Sequence, residues 1–283
     1  MRVICAIVLI VGLAIPAHAQ EERGWSFSGY FNGSSNSDGI ITKAEPALGY
    51  KFNRHFSTYA GLPFYFVNID PNATVTPGGA MKGLGNAFLG FRGRIDGEIV
   101  NYTSNLEFTA PTGDKDRGFS TGRVTVDWTH RFSRPISSFT PFGNVGIANT
   151  VSDTAFFIRP FSSYGLVGHF EGGTTYDVSP ALRLGASAYA VRGSGEQRII
   201  SKVIERSSES SGQSRGRGSG NSSRVFETQT ETVSQAELVN DRGFATWIGV
   251  SPRPELDFHV GYSRSVNYDF NTLFFGVGFR VGK

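Results

Sequence analysis

Residues 271–282 read NTLFFGVGFRVG. Leu273, Phe275, Val277, Phe279 and Val281 share one parity; Thr272, Phe274, Gly276, Gly278 and Arg280 share the other. Successive side chains of a strand point to opposite faces, so this stretch reads as a strand with one apolar face and one mixed face. The same period recurs upstream. Val124, Val126, Trp128 and Phe132 lie on one face of 123–132, and Arg123, Thr125, Asp127, Thr129 and Arg131 on the other. In 99–110, Val100, Tyr102, Leu106 and Phe108 alternate with Asn101, Thr103, Asn105, Glu107 and Thr109.

Working outward, the alternation covers roughly 24–32, 44–53, 56–69, 85–95, 98–110, 120–133, 140–150, 162–176, 181–192, 243–251, 255–265 and 271–282. These are about twelve strands, most near the 9–11 residues that a tilted strand needs to cross a bilayer. The connections alternate in length. Asn53–His55, Asp96–Gly97, Arg134–Phe139, Asp177–Pro180 and Pro252–Pro254 are short, and 33–43, 70–84, 111–119, 151–161 and 193–242 are longer, with 266–270 the exception. Short turns on one side and long loops on the other, with an even strand count, describe a closed antiparallel transmembrane β-barrel with periplasmic turns and extracellular loops. A soluble β-sandwich also has one apolar and one polar face per sheet, but its strands are shorter, with turn signals every 8–12 residues.

Composition agrees with the barrel. The 283 residues include 36 glycines and 24 phenylalanines, with 18% charged residues and a formal net charge of +3. That charge is too small to point to nucleic acid. The one cysteine, Cys5, excludes a disulfide framework. It lies in an N-terminal segment with Arg2, an apolar run from Val3 to Ala17 and the small-x-small sequence Ala17-His18-Ala19. This pattern reads as a signal peptide over 1–19, with the barrel occupying 20–283, and it implies export to the bacterial outer membrane.

Residues 106–123, LEFTAPTGDKDRGFSTGR, and 140–147, TPFGNVGI, carry a resemblance. Pro111-Thr112-Gly113-Asp114 at a strand end, Ser120-Thr121-Gly122 opening the next strand, and Pro141-Phe142-Gly143-Asn144-Val145-Gly146 opening a third resemble a bacterial outer-membrane β-barrel family of transporters named for the MetA pathway of phenol degradation. Gly61-Leu62-Pro63 matches more weakly. The resemblance is local to roughly 60–150. It implies an outer-membrane barrel and, through the family's name alone, uptake of small molecules. The residues have their own physical reading. Pro111 cannot donate to a ladder and ends its strand. Thr112-Gly113-Asp114 is turn chemistry, and Gly122 permits unusual backbone.

The residues opposite the apolar face are expected to line the lumen. The bases are Lys51, Arg92, Arg94, Arg123, Arg131, Arg183 and Arg280; the acids are Glu107, Asp127, Glu171 and Asp257; the histidines are His169 and His259. This set predicts a modestly basic lumen that favours anions. The competing expectation is that the charges pair across strands, Arg92 or Arg94 with Glu107 and Arg123 or Arg131 with Asp127, and stiffen the wall. Tyr59, Tyr65, Phe88, Tyr189 and Phe274 fall on the same face. They either stack an aromatic solute or fill space.

No catalytic residues, metal site or cofactor are expected. Nucleophilic catalysis needs a serine within hydrogen-bond reach of an oriented histidine. The one close pair, His55-Phe56-Ser57, falls at a short turn. Residues 193–242 break the composition. Their tip, 207–224, is rich in serine and glycine and is expected to be disordered; the arms 197–204 and 225–239 are expected to form a hairpin above the membrane. The expected function is a passive channel or transporter for small solutes, possible classes being anionic and aromatic ones. The alternative is a non-conducting surface barrel that acts through its extracellular loops in adhesion or structural integrity, and an outer-membrane enzyme ranks behind both. The implied partners are outer-membrane lipid, the barrel assembly machinery and the solute.

Overall fold

The structure, a computed structural model, describes residues 23–36, 39–69, 79–113, 119–120, 122–151, 161–201 and 231–282. The expected signal segment 1–19, Asp114 and the tip 207–224 lie outside the described residues. The strands are β1 (Gly24–Asn36), β2 (Gly39–Lys51), β3 (Phe56–Gly61), β4 (Phe64–Ile69), β5 (Gly79–Leu84), β6 (Phe88–Asp96), β7 (Asn101–Thr109) and β8 (Thr125–Ser133). They continue with β9 (Phe139–Thr150), β10 (Phe161–Ser179), β11 (Leu182–Gly193), β12 (Gln197–Ser201), β13 (Glu231–Ser234), β14 (Asp241–Arg253), β15 (Leu256–Ser265) and β16 (Phe270–Gly282).

Every wall pairing is antiparallel between chain neighbours, and β1 pairs with both β2 and β16, so the sheet closes on itself. Two wall strands are interrupted. β3 and β4 are one strand broken at Leu62-Pro63, where proline lacks the ladder donor. β5 and β6 are one strand broken at 85–87. With β12 and β13 set aside as a rim hairpin, the wall is a closed 12-strand barrel. A sandwich has edges; this sheet has none in its wall.

Register fixes which face is which. Phe142 on β9 and Trp247 on β14 have ring centroids 6.5 Å apart although β10 and β11 separate their strands. Such a contact forms only on the concave side. From Phe142, cross-strand partners carry that side around the whole barrel through Gly173, Ser187, Ala245, Ser263, Thr272 and onward, and back to β9 without a parity conflict. The opposite parity holds Phe27, Leu48, Leu89, Phe108, Ile147, Phe170, Leu184, Ile248, Val260 and Leu273, all exposed large hydrophobics. Exposed apolar residues on the convex face are what lipid contact requires. Trp25, Phe52, Phe56, Phe132, Phe139 and Tyr176 cluster near the short turns as an interfacial girdle.

Three sequence expectations change, the first being the loop expected at 70–84, of which 79–84 is strand β5 paired with β4. The loop expected at 33–43 is absent, because β1 runs to Asn36 and β2 begins at Gly39. Ser34-Ser35-Asn36 reads as turn chemistry, but full pairing with β2 and β16 outweighs local preference. The expected hairpin arm also stops short. β13 ends at Ser234, and Ala236–Val239 forms a 3-10 turn against β11 with Val239 fully buried. β12 pairs with both β10 and β13, so the hairpin extends the wall beyond β11. Gln197 anchors it by donating Nε2 to Leu166 and Ser194 carbonyls, at 2.9 and 3.1 Å.

The face assignment makes a direct prediction. Val260 stands mid-strand on the convex face at 56% exposure. Val260→Arg destabilises the folded barrel by about 2–4 kcal/mol, whereas Ile136→Arg, at a short turn, costs about 0–1 kcal/mol. Urea unfolding in lipid vesicles measures both.

Candidate functional site: the inner wall

The concave face is built on one recurrent device, a ring laid across a glycine on the neighbouring strand. Tyr59 lies over Gly90, His169 over Gly146, Trp247 over Gly185, Phe142 over Gly173, Tyr189 over Gly243, Phe274 over Gly261 and His259 over Gly276. Each glycine is the ring-bearing residue's cross-strand partner or stands one step from it. A Cβ at any of these glycines would fall inside the ring's van der Waals envelope. Missing side chains let bulky groups lie along the wall and reach the second strand over.

Tyr59 uses this reach for hydrogen bonding. Its hydroxyl crosses Gly90 to donate to Glu107 Oε2 at 2.8 Å, and Asn105 Nδ2 donates to the Tyr59 oxygen at 2.8 Å. Arg92 stacks its guanidinium 5.2 Å from the Tyr59 ring centroid. His169 crosses Gly146 towards β8, where its Nε2 lies 3.4 Å from Asp127 and Thr129 Oγ1 donates to that carboxylate at 2.6 Å. One register row lower, Asn144 donates to Glu171 at 2.6 Å and accepts from Arg131 at 3.3 Å. Asn144 therefore bridges a base and an acid on the two flanking strands. Arg131 also lies 4.2 Å from the centroid of Phe142.

Lys51, Arg92, Arg94, Glu107, Asp127, Arg131, His169, Glu171, Arg183, Asp257, His259 and Arg280 all have concave parity; Arg123 precedes β8 and lies over Tyr164, 5.0 Å from its centroid. Arg94 and Arg131 have partners other than those expected. Arg94 pairs with Asp96 on its own strand at 2.7 Å, not with Glu107. Arg183 pairs with Asp177 at 2.7 Å. Arg131 goes to Asn144 and Phe142. The expected basic excess also shrinks, because the same face holds Glu45, Asp96, Asp177 and Asp241, against one added base, Lys43, which pairs with Glu45 at 2.7 Å. Asp241 is fully buried, accepting from Ser265 Oγ at 2.6 Å, Tyr189 at 3.2 Å and the Arg242 amide at 2.8 Å.

The aromatic set separates in the same way. Tyr59, Tyr65 and Tyr189 are half-buried on the concave face, but Phe274 is 1% exposed and Phe88 9%. These two fill wall volume and present no ring to a solute. Trp247 and Phe142, not singled out from sequence, share the concave parity. The charged network occupies β6 to β10, and Tyr189, Trp247, Phe274 and His259 occupy β11 to β16, on the other side of the barrel. The second group of strands also carries Arg183, Asp241, Asp257 and Arg280 on the concave face, so charge runs around the whole lumen and is most densely hydrogen-bonded on β6 to β10.

The motif loop has a structural role. Thr112 Oγ1 accepts from the Ala87 amide at 2.8 Å, and the Gly113 amide donates to Asn86 Oδ1 at 3.1 Å. The loop after β7 is thereby stitched to the break between β5 and β6. Gly113 packs so closely against Leu84 and Gly85 that a Cβ would meet backbone at 2.9 Å. Pro111 ends β7, and Gly122 has φ +68°. Beyond the motif, Phe119 stacks on Tyr65 at 5.8 Å.

Neither His–acid pair has nucleophile geometry. Ser251 donates to Asp257 at 2.6 Å, and Asp257 lies 3.9 Å from His259, so the carboxylate stands between hydroxyl and imidazole. Thr129 likewise donates to Asp127. His55 contacts Arg54 and the Arg94 carbonyl rather than Ser57.

The ring-on-glycine device predicts coupling. Gly185→Ala drives Trp247 off the wall and costs about 1–3 kcal/mol. In a Trp247→Ala background the same change costs less, by about 0.5–3 kcal/mol of coupling energy. A double-mutant cycle on urea midpoints measures it.

No protein-family model matches the chain, and no curated protein matches it. Solved structures do. The COG4313 outer membrane channel from Pseudomonas putida F1 superposes with a TM-score of 0.57 at 11% identity, over 95% of this chain and 100% of that one. The NanC porin gives 0.49 at 9% identity, over 89% and 98%. The fold of this chain is thus that of an outer-membrane β-barrel.

Proposed function

We propose that this protein is a passive outer-membrane channel that passes small solutes through its lumen without covalent chemistry. The observation that carries the reading is the polar, charge-bearing inner wall. The concave face holds Arg131, Glu171, Asp127, Glu107 and Arg92, most of them half-buried and held by neutral partners or rings. Charged groups kept available in this way can exchange hydrogen bonds with a passing solute. Beside them, on β11 and β14, Tyr189 and Trp247 offer ring surface, which suits solutes with one flat apolar face and one polar edge. The similarity to the COG4313 channel supports the same reading.

Because several bases are already neutralised by local acids, selectivity between anions and cations is weak. A surface role for the rim is the second reading, favoured by the β12–β13 hairpin that projects beyond the wall.

Single-channel recording in a planar bilayer with a salt gradient tests both. Stable discrete steps are expected. Arg131→Gln moves the reversal potential towards cations and Glu171→Gln towards anions, each by up to about fivefold in permeability ratio, since a unit charge at ~4 Å in water is worth about 1 kcal/mol. Deleting 202–230 leaves the steps in place. A folded barrel without steps overturns the channel reading and transfers the function to the rim.

A further inference from the structure

The convex face carries one cluster that lipid contact alone does not explain. His130 on β8 has convex parity, between Trp128 and Phe132. It stands just above the short-turn girdle formed there by Tyr102 and Phe132, on the lipid side of the wall. An ionisable side chain in that position is expensive in hydrocarbon and marks a functional site by default.

Its surroundings are built rather than incidental. The imidazole stacks on Tyr102, with centroids 5.9 Å apart and planes 13° apart, and Trp128 packs at 4.7 Å. The Tyr102 hydroxyl lies 2.7 Å from His130 Nδ1, and Trp128 Nε1 donates to Ser104 Oγ at 3.0 Å. Four polar groups are thus oriented by one another. When Tyr102 donates to Nδ1, the ring proton sits on Nε2. That nitrogen has no hydrogen-bond partner among the described residues. Beside it, Ser104 is the cross-strand partner of both His130 and Gly93. A Cβ at Gly93 would meet nothing within 4 Å, so the wall is shallow there. Arg134 stands exposed where the chain leaves β8 for the short turn.

We propose that His130, Tyr102 and Trp128 form a binding site for one phospholipid of the leaflet at the short-turn rim. His130 Nε2–H donates to a phosphate oxygen, the Trp128 and Tyr102 rings flank the glycerol region, and an acyl chain lies over Gly93. An unmet N–H facing the membrane needs an acceptor. A headgroup phosphate at girdle height supplies one, and its charge suits both the imidazole and Arg134.

The test is native mass spectrometry of the folded full-length barrel in detergent, titrated with palmitoyl-oleoyl phosphatidylethanolamine and, separately, with the diacylglycerol of the same chains. The wild type retains one phospholipid at least about tenfold more readily than the diacylglycerol, and His130→Phe, which keeps the stacking and loses the donor, abolishes that preference. Equal retention by the wild type and His130→Phe overturns the site. So does a change of oligomeric state in His130→Phe without lipid loss, which would assign the cluster to an interface between copies. If His130→Phe does not give the heat-modifiable gel shift of a folded barrel, His130→Leu, which also lacks a donor, carries the same comparison.

Discussion

The hydrogen bonds between β1 and β16 are the constraint from which the rest follows. In hydrocarbon an unpaired backbone N–H or C=O costs several kcal/mol, so a sheet is admissible only without edges. Here ten consecutive residues of β1, Ser26 to Ser35, pair with β16. Closure makes one face concave and one convex, and it fixes side-chain parity all the way around. It also explains why Ser34 and Ser35, weak strand formers, stay extended. Both are held between β2 and β16, and releasing them would open the seam.

Closure creates a second problem, which glycine solves. A 12-strand wall encloses limited space, and rings that stood perpendicular to it would collide across the interior. A flat-lying ring needs a neighbouring strand position without a Cβ. The chain meets this need at Gly90, Gly146, Gly173, Gly185, Gly243, Gly261 and Gly276 on the inside, and again on the outside, where Phe279 covers Gly29 and Phe275 covers Gly33. The high glycine content is therefore a consequence of the aromatic content. Each ring also shields the backbone that its glycine leaves bare.

The alternation of single residues carried most of the fold. A period of two is local, and it is strong wherever one face meets lipid, as from Leu273 to Val281. It also placed the inner charges, because a charge on the lipid face is costly enough to be rare. Trp247 was legible by the same rule, standing out of phase with Phe244, Ile248 and Val250. Partners were not legible, because they depend on register, and register is set by all twelve wall strands together. Nothing local says that Arg94 turns to Asp96, or that Asn144 joins Arg131 to Glu171. Burial was equally hidden. Phe274 and Tyr189 look alike as inward aromatics, but only the tyrosine ring stays half-accessible. His130 shows the limit of the charge rule, since it lies on the lipid face and its hydrogen-bonding partner, Tyr102, sits on the adjacent strand.

The asymmetry of the lumen is what gives a weakly selective barrel any discrimination. Evenly scattered charges would treat every small polar solute alike. Placing the hydrogen-bonded charges of β6 to β10 beside the half-accessible rings of β11 and β14 sets a solute's orientation, polar edge towards the first and flat face towards the second. Orientation reduces the entropy left to lose at each contact, so modest contacts suffice. They must also stay modest, because a solute held tightly does not leave. Bases cushioned on rings and acids shared with asparagine and tyrosine meet that requirement: each is already partly satisfied, and each can exchange a partner without stranding a bare charge.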